Sequence, residues 1–256
     1  MSTLDFGLRN KFVVVTGSSG HIGRALCQSL ADQGVNVIGI DRSNIVEGPI
    51  PSEMFYSVDL GDLTALDAVL SDITSSYPEI QGLVHSAAFV GTSDLTGWLG
   101  GIQQQSRQTF DQAMEVNAGS AFSLVKGLFE SLQKKGASVV LISSIYGSVG
   151  PDMSLYEGTL MDNPIAYGMS KAALDQLARY VACRYGKFNI RANSIVLGGV
   201  FRNQPEAFVE KYCKKTPLQR MAVESDVIGP ICFLLSDASG YVSGSEIRVD
   251  GGYLAT

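Results

Sequence analysis

The sequence predicts an α/β fold: one doubly wound, Rossmann-type parallel sheet of about seven strands, with helices on both faces. Three observations carry that expectation. Short runs rich in β-branched residues alternate with longer amphipathic stretches along the whole chain. The short runs are apolar almost without interruption, as strands buried on both faces must be. A glycine-rich turn, TGSSGHIG (16–23), joins the first strand to the first helix.

In chain order the strands are KFVVVT (11–16), VNVIGID (35–41), MFYSVD (54–59), QGLVHSA (81–87), ASVVLIS (137–143), IRANSIVL (190–197) and EIRVD (246–250). Helices are expected at 22–33, 63–76, 108–133, 166–186 and 224–236. Right-handed crossovers between parallel strands then place helices on the two faces in turn. No repeat or linker interrupts the pattern, so residues 1–256 read as one domain. Three long stretches, 88–107, 145–165 and 198–217, read as irregular and follow strands. They leave the carboxyl edge, where open sheets bind ligands, and loops of that length are usually functional.

Composition limits the partners. Hydrophobic residues make up 45% and charged residues 17%, which excludes a disordered chain. The net charge of −6 and the lack of a basic run argue against nucleic acid and anionic membranes. No apolar run approaches the ~20 residues of a membrane span. MSTLDFGLRNK has no apolar stretch between its charges, so no secretory signal is expected. Cys27, Cys183, Cys213 and Cys232 are scattered and the chain has two histidines, so no metal site is expected. Reduced, packed thiols in a cytoplasmic protein are the simplest reading.

The glycine turn has a specific chemistry. Gly17 permits the tight turn, Gly20 lets backbone approach a pyrophosphate, and Gly23 lets helix and strand pack closely. Ser19, His21 and Ile22 complete the turn. Asp41 ends the second strand, where a carboxylate accepts hydrogen bonds from ribose hydroxyls and repels a 2′-phosphate. Arg42 beside it could instead welcome that phosphate, so NAD is expected and NADP is the second choice. Asp59 and Leu60, ending the third strand, are placed to touch adenine.

In the second half, Ser144 ends the fifth strand in ISSIYG, and AYGMSK puts Tyr167 and Lys171 on one helical face. Asn117 lies in MEVNAG. The order glycine turn, Asp, Asn, Ser, Tyr-x-x-x-Lys, with the ending SGYVSGSEIRVDGG, resembles the short-chain dehydrogenase/reductase family over essentially the whole chain. That resemblance implies a catalytic set. Tyr167 would be the general acid/base and Ser144 would orient the substrate oxygen. Lys171 would lower the tyrosine pKa and hold the nicotinamide ribose, and Asn117 would support a proton-relaying water. It also implies pairing through the helices around 108–133 and 166–186 into a homodimer or homotetramer. Their residues Ala113, Ala118, Ala121, Leu124, Ala172, Ala173, Leu177 and Val181 exceed what one domain is expected to hide.

The chain also departs from the family pattern. His85-Ser86-Ala87-Ala88 stands where Asn-Asn-Ala-Gly is usual. Ser86, Ala87 and Ala88 would still line the adenosine side, and His85 reads as a packed or hydrogen-bonded histidine. LGGVFRN (197–203) resembles Pro-Gly-x-Val-x-Thr, with Gly198 and Val200 kept and Arg202 replacing the threonine. The segment 148–164, with YEGT and NP ahead of the tyrosine, is similar to a subgroup linked to flagellin modification and bacterial surface sugars.

The expected activity is NAD-dependent hydride transfer to or from a secondary alcohol or ketone, the substrate being polar and sugar-like. Asp152, Tyr156, Glu157 and Asn163, with Gln103, Gln104, Gln105 and Arg107, offer hydrogen bonds, although solvated loop faces explain them equally well. Trp98 either stacks on a sugar or anchors its loop. Arg107 or Arg202 either clamps an anion, binds the cofactor or faces solvent. A 3-oxoacyl or other lipophilic carbonyl reductase is the enzyme alternative; a silent dinucleotide-binding regulator is the alternative of another class.

Overall fold

All seven expected strands form: β1 (Phe12–Thr16), β2 (Asn36–Asp41), β3 (Phe55–Ser57), β4 (Gly82–His85), β5 (Ala137–Ser144), β6 (Ile190–Leu197) and β7 (Glu246–Val249). A computed structural model describes residues 6–43, 49–90 and 95–255. The strands lie in the order β3-β2-β1-β4-β5-β6-β7, every pair parallel. The winding reverses between β1 and β4, which opens a crevice at their carboxyl ends.

Nine helices surround the sheet among the described residues: α1 (His21–Asp32), α2 (Leu63–Ser76), α3 (Arg107–Met114), α4 (Ser120–Gly127), α5 (Phe129–Leu132), α6 (Ile145–Ser148), α7 (Ile165–Tyr185), α8 (Glu206–Lys215) and α9 (Glu224–Leu235). Side chains alternate across each strand and so feed two cores. Val14 joins one, with Leu66 of α2, Leu124 of α4 and Leu174 of α7. Val13 and Val15 join the other, with Leu26 of α1 and Ile231 of α9. Each such buried side chain contributes about 1.5–3 kcal/mol. Among the described residues no helix is long and apolar enough to cross a membrane.

The structure corrects three expectations. The helix expected at 108–133 is broken, because a π-type turn, Glu115–Gly119, separates α3 from α4. Within that turn Asn117 bonds through both its backbone and its side chain to other elements, as described below. The stretch 198–217 is not irregular, because it carries α8. Phe208 and Tyr212, one turn apart, bury that helix's inner face. The apolar surplus is also smaller than expected. Ala113, Ala121, Leu124 and Val181 are buried within the chain itself, leaving Ala118, Ala172, Ala173 and Leu177 half-buried. Within 88–107, residues 91–94 lie outside the described residues.

Candidate active site

The crevice widens into a cleft of about 1470 Å3 along the carboxyl edge of the sheet. Gly17, Ser19, Gly20, His21, Ile22 and Gly23 line one end of it. Gly17 has φ +67°, and a Cβ there would stand 2.8 Å from the Ala87 backbone. A Cβ on Gly23 would stand 2.0 Å from the Gly17 carbonyl oxygen, so α1 can sit this close to the turn only with glycine. No side chain caps α1 and no acidic residue occupies its first turn, which leaves its N-terminus suited to an anion.

Asp41 is fixed by two backbone donors. Ser19 N–H and Ser43 N–H each reach one of its carboxylate oxygens at 3.0 Å. Arg42, Asp59, Leu60, Ser86, Ala87 and Ala88 line the same half of the cleft. Asp59 also accepts the Gly61 N–H at 2.9 Å. Gly198 and Val200 close the cleft from beyond β6. Their turn is held by the Tyr212 hydroxyl of α8, which accepts the Gly199 N–H at 2.5 Å.

Ser144, Tyr167 and Lys171 converge on the centre of the cleft. Ser144, the last residue of β5, caps α6 by accepting the Tyr146 N–H at 3.2 Å. Tyr167 stands in the first turn of α7, whose start is fixed by Pro164. Burial pushes the Tyr167 hydroxyl above the ordinary phenol value, and a hydrogen bond with Ser144 opposes that rise. The net direction in this arrangement is upward. The Lys171 ammonium is 5.7 Å from the Tyr167 ring centre and donates to the Ile142 carbonyl at 2.8 Å. Its own pKa falls to about 8, chiefly by burial, with Asp175 acting in the opposite direction.

Asn117 stands apart, fully buried and outside the cleft lining. Its side-chain oxygen accepts the Phe89 N–H at 2.5 Å, and its amide donates to Ser170 Oγ at 2.9 Å. His85 Nε2 lies 3.1 Å from the Asn117 carbonyl, and His85 Nδ1 lies 2.9 Å from Thr16 Oγ1. A carbonyl only accepts, so Nε2 carries the proton and Nδ1 accepts the Thr16 hydroxyl. His85 is thus the packed, hydrogen-bonded histidine expected, its pKa lowered to about 4 by burial and then by the Lys171 charge. Ser86 strengthens the same junction by donating to the Thr16 carbonyl at 2.7 Å.

The three long stretches contribute unequally. Trp98 is 3% exposed and meets Phe89 edge to face, with Ala113 and Ala166 around it, so it anchors its loop while also lining the cleft. Gln105 ties that loop to the Gly100 carbonyl and the Ile165 N–H, and Gln104 accepts the Gly101 N–H. Neither these glutamines nor Gln103 lines the cleft. Arg107 pairs with Asp111 at the surface, Asp152 pairs with Lys215, and the Glu157 carbonyl accepts from Lys211. Arg202 does line the cleft and is paired with Glu224 at 3.0 Å. Tyr156 and Asn163 line it too. Sequence reasoning missed Tyr146, Gln204, Phe208 and Tyr212, which line it from segments read as irregular or as strand ends. It also missed Asp175, buried one turn beyond Lys171, where its carboxylate accepts the Ser143 hydroxyl at 3.0 Å.

Comparison with known proteins agrees in extent with this architecture. A family model described as enoyl-(acyl carrier protein) reductase matches residues 17–254. The chain is 30% identical over 260 residues to post-translational flagellin modification protein A of Campylobacter coli, covering 96% of this chain and 99% of that protein. It is 31% identical over 264 residues to L-xylulose reductase of Caenorhabditis elegans, covering 97% and 98%. A crystal structure of a short chain dehydrogenase from Leptospira borgpetersenii with bound NAD+ superposes with a TM-score of 0.85 at 27% identity, covering 99% and 97% of the chains.

Proposed function

The chain belongs to the short-chain dehydrogenase/reductase family of oxidoreductases, and on that premise we propose that it interconverts a polar, sugar-like secondary alcohol and its ketone with NAD. One observation carries the reading: Ser144, Tyr167 and Lys171 face the same cleft as the glycine turn and Asp41. A nicotinamide dinucleotide held there supplies the hydride carrier and, when oxidised, a positive charge. The N-terminus of α1 fits its pyrophosphate, and Asp41 fits a ribose with free hydroxyls.

Tyr167 is the proton carrier. Its oxygen takes the proton of the substrate hydroxyl in oxidation and returns it to the carbonyl oxygen in reduction. Ser144 donates to that same substrate oxygen and fixes it beside the phenol. Lys171 holds a positive charge beneath the ring, and its pKa of about 8 keeps it mostly protonated at neutral pH. Asn117 acts by position, holding Phe89 and Ser170 so that α7 presents Tyr167 correctly. The similarity to L-xylulose reductase and the cleft's tyrosine and asparagine side chains support a hydroxylated substrate over a lipophilic one. The direct test is turnover of ketoses and sugar alcohols, followed at the nicotinamide absorbance. Robust turnover of apolar ketones with none on any sugar rejects the polar-substrate reading.

Cofactor choice rests on Asp41. Its carboxylate would face a 2′-phosphate at close range, and like charges brought together cost several kcal/mol. The variant Asp41→Ala is expected to reduce the preference for NAD over NADP at least ~10-fold. Because Asp41 also accepts the Ser19 N–H, NAD affinity itself should weaken, so the ratio of the two Kd values is the readout. Tighter binding of NADP than NAD by the unmodified protein would show that Arg42 dominates.

Assembly follows the family expectation of a closed homo-oligomer. Phe122 on α4 and Tyr180 on α7 remain 58% and 56% exposed, which leaves apolar area on the helices expected to pair. Sedimentation at micromolar concentration should show a dimer or tetramer. A fully active monomer contradicts the expectation.

A further inference from the structure

Two phenols and one amide in the cleft form a hydrogen-bonded chain. Asn163 Nδ2 donates to the Tyr156 hydroxyl at 3.3 Å, and Tyr156 donates to the Tyr146 hydroxyl at 3.0 Å. An amide nitrogen only donates, and each phenol has one proton. In this geometry Tyr156 gives its proton to Tyr146, and the Tyr146 oxygen acts as the acceptor. The Tyr146 proton has no acceptor among the described residues, and its ring lines the cleft.

The backbone carrying Tyr146 is held as firmly as the reacting residues. A Cβ on Gly168 would stand 2.8 Å from the Tyr146 carbonyl oxygen, and one on Gly147 would stand 2.9 Å from the Ala172 nitrogen. These glycines press α6 against α7, the helix that carries Tyr167. Tyr146 also follows Ser144 by two positions and donates its N–H to the Ser144 hydroxyl. Burial holds the Tyr146 pKa well above the ordinary phenol value, so this group donates and does not ionise.

We infer that Tyr146 determines substrate specificity: its hydroxyl, polarised by Tyr156 and Asn163, donates to a second substrate oxygen on a carbon next to the reacting one. The substrate class is then an α-hydroxy ketone and its vicinal diol, rather than an isolated ketone. This rests on the oxidoreductase reading above and deepens it. Tyr156 and Asn163 are positioning residues, since they act on the substrate through Tyr146.

The experiment compares a 2-ketopentose with its 1-deoxy and 3-deoxy analogues, with NADH as reductant. The unmodified enzyme should prefer the intact ketose over one deoxy analogue roughly 10- to 100-fold in kcat/KM, the worth of one buried hydrogen bond. In Tyr146→Phe that ratio should fall towards one, whatever the absolute rates. In Tyr156→Phe it should fall part of the way, through KM, while NAD binding and Tm hold. A ratio unchanged in both variants overturns the inference and leaves the oxidoreductase reading standing. Failure of the unmodified enzyme to reduce any of the three ketones overturns the sugar-class reading and this inference with it.

Discussion

Replacing Tyr167 with phenylalanine is expected to lower turnover by at least the ~100-fold that general acid/base catalysis typically supplies. The substitution removes one oxygen and keeps the ring, so its packing against Trp98, Ala113 and Ala166 should persist. NAD binding should survive. The loss should appear in kcat as well as kcat/KM, because proton transfer belongs to the transition state rather than to ground-state binding. Near-normal turnover of the true substrate by Tyr167→Phe would sink the assignment.

A comparable effect is expected on stability, through His85. Its pKa is lowered to about 4 in the folded chain from an ordinary 6.5. Between those values the unfolded state binds the proton and the folded state does not, so stability rises with pH across the window. Conversely, stability is lost as the pH falls from about 6.5 to about 4, by roughly 3 kcal/mol in total. Protonation would turn Nδ1 into a donor facing the Thr16 hydroxyl and place a second charge near Lys171. Asp152 and Asp226, held at about 2 by Lys215 and Arg220, lose their stabilising charge only at lower pH. Asp175, pushed up by burial, works in the opposite sense. The diagnostic is therefore a difference: His85→Asn should flatten the stability slope between pH 6.5 and 4. Denaturant melts at several pH values measure it, and equal slopes in the two proteins would refute the linkage.

Much of this molecule was legible because its signals are local. The strands β1 to β7 are runs whose apolar character states burial on both faces, and each lies within two residues of its expected bounds at either end. The glycine turn, Asp41, Ser144, Tyr167 and Lys171 come to one cleft because each sits at a strand end or helix start. What escaped reading depends on partners distant in sequence. The helix α8 has a short apolar face, and only the packing of Phe208 and Tyr212 beneath the β6 turn marks it. The tyrosine chain joins residues 146, 156 and 163 through a segment with no periodicity of its own. Arg107, left open between an anion clamp, the cofactor and solvent, is resolved towards the surface by Asp111, one turn away on its own helix.

The π-type turn at Glu115–Gly119 bears on how such a chain can change over generations. A turn of this kind holds one residue more than the regular spiral requires, so everything beyond it is rotated relative to what came before. Loss of a single codon, for instance that of Ala118, would let α3 and α4 fuse into an ordinary helix. The local geometry would improve, yet Asn117 would swing away from Phe89, Ser170 and His85 together. Activity lost by a variant whose helical content has risen would be the signature of that trade.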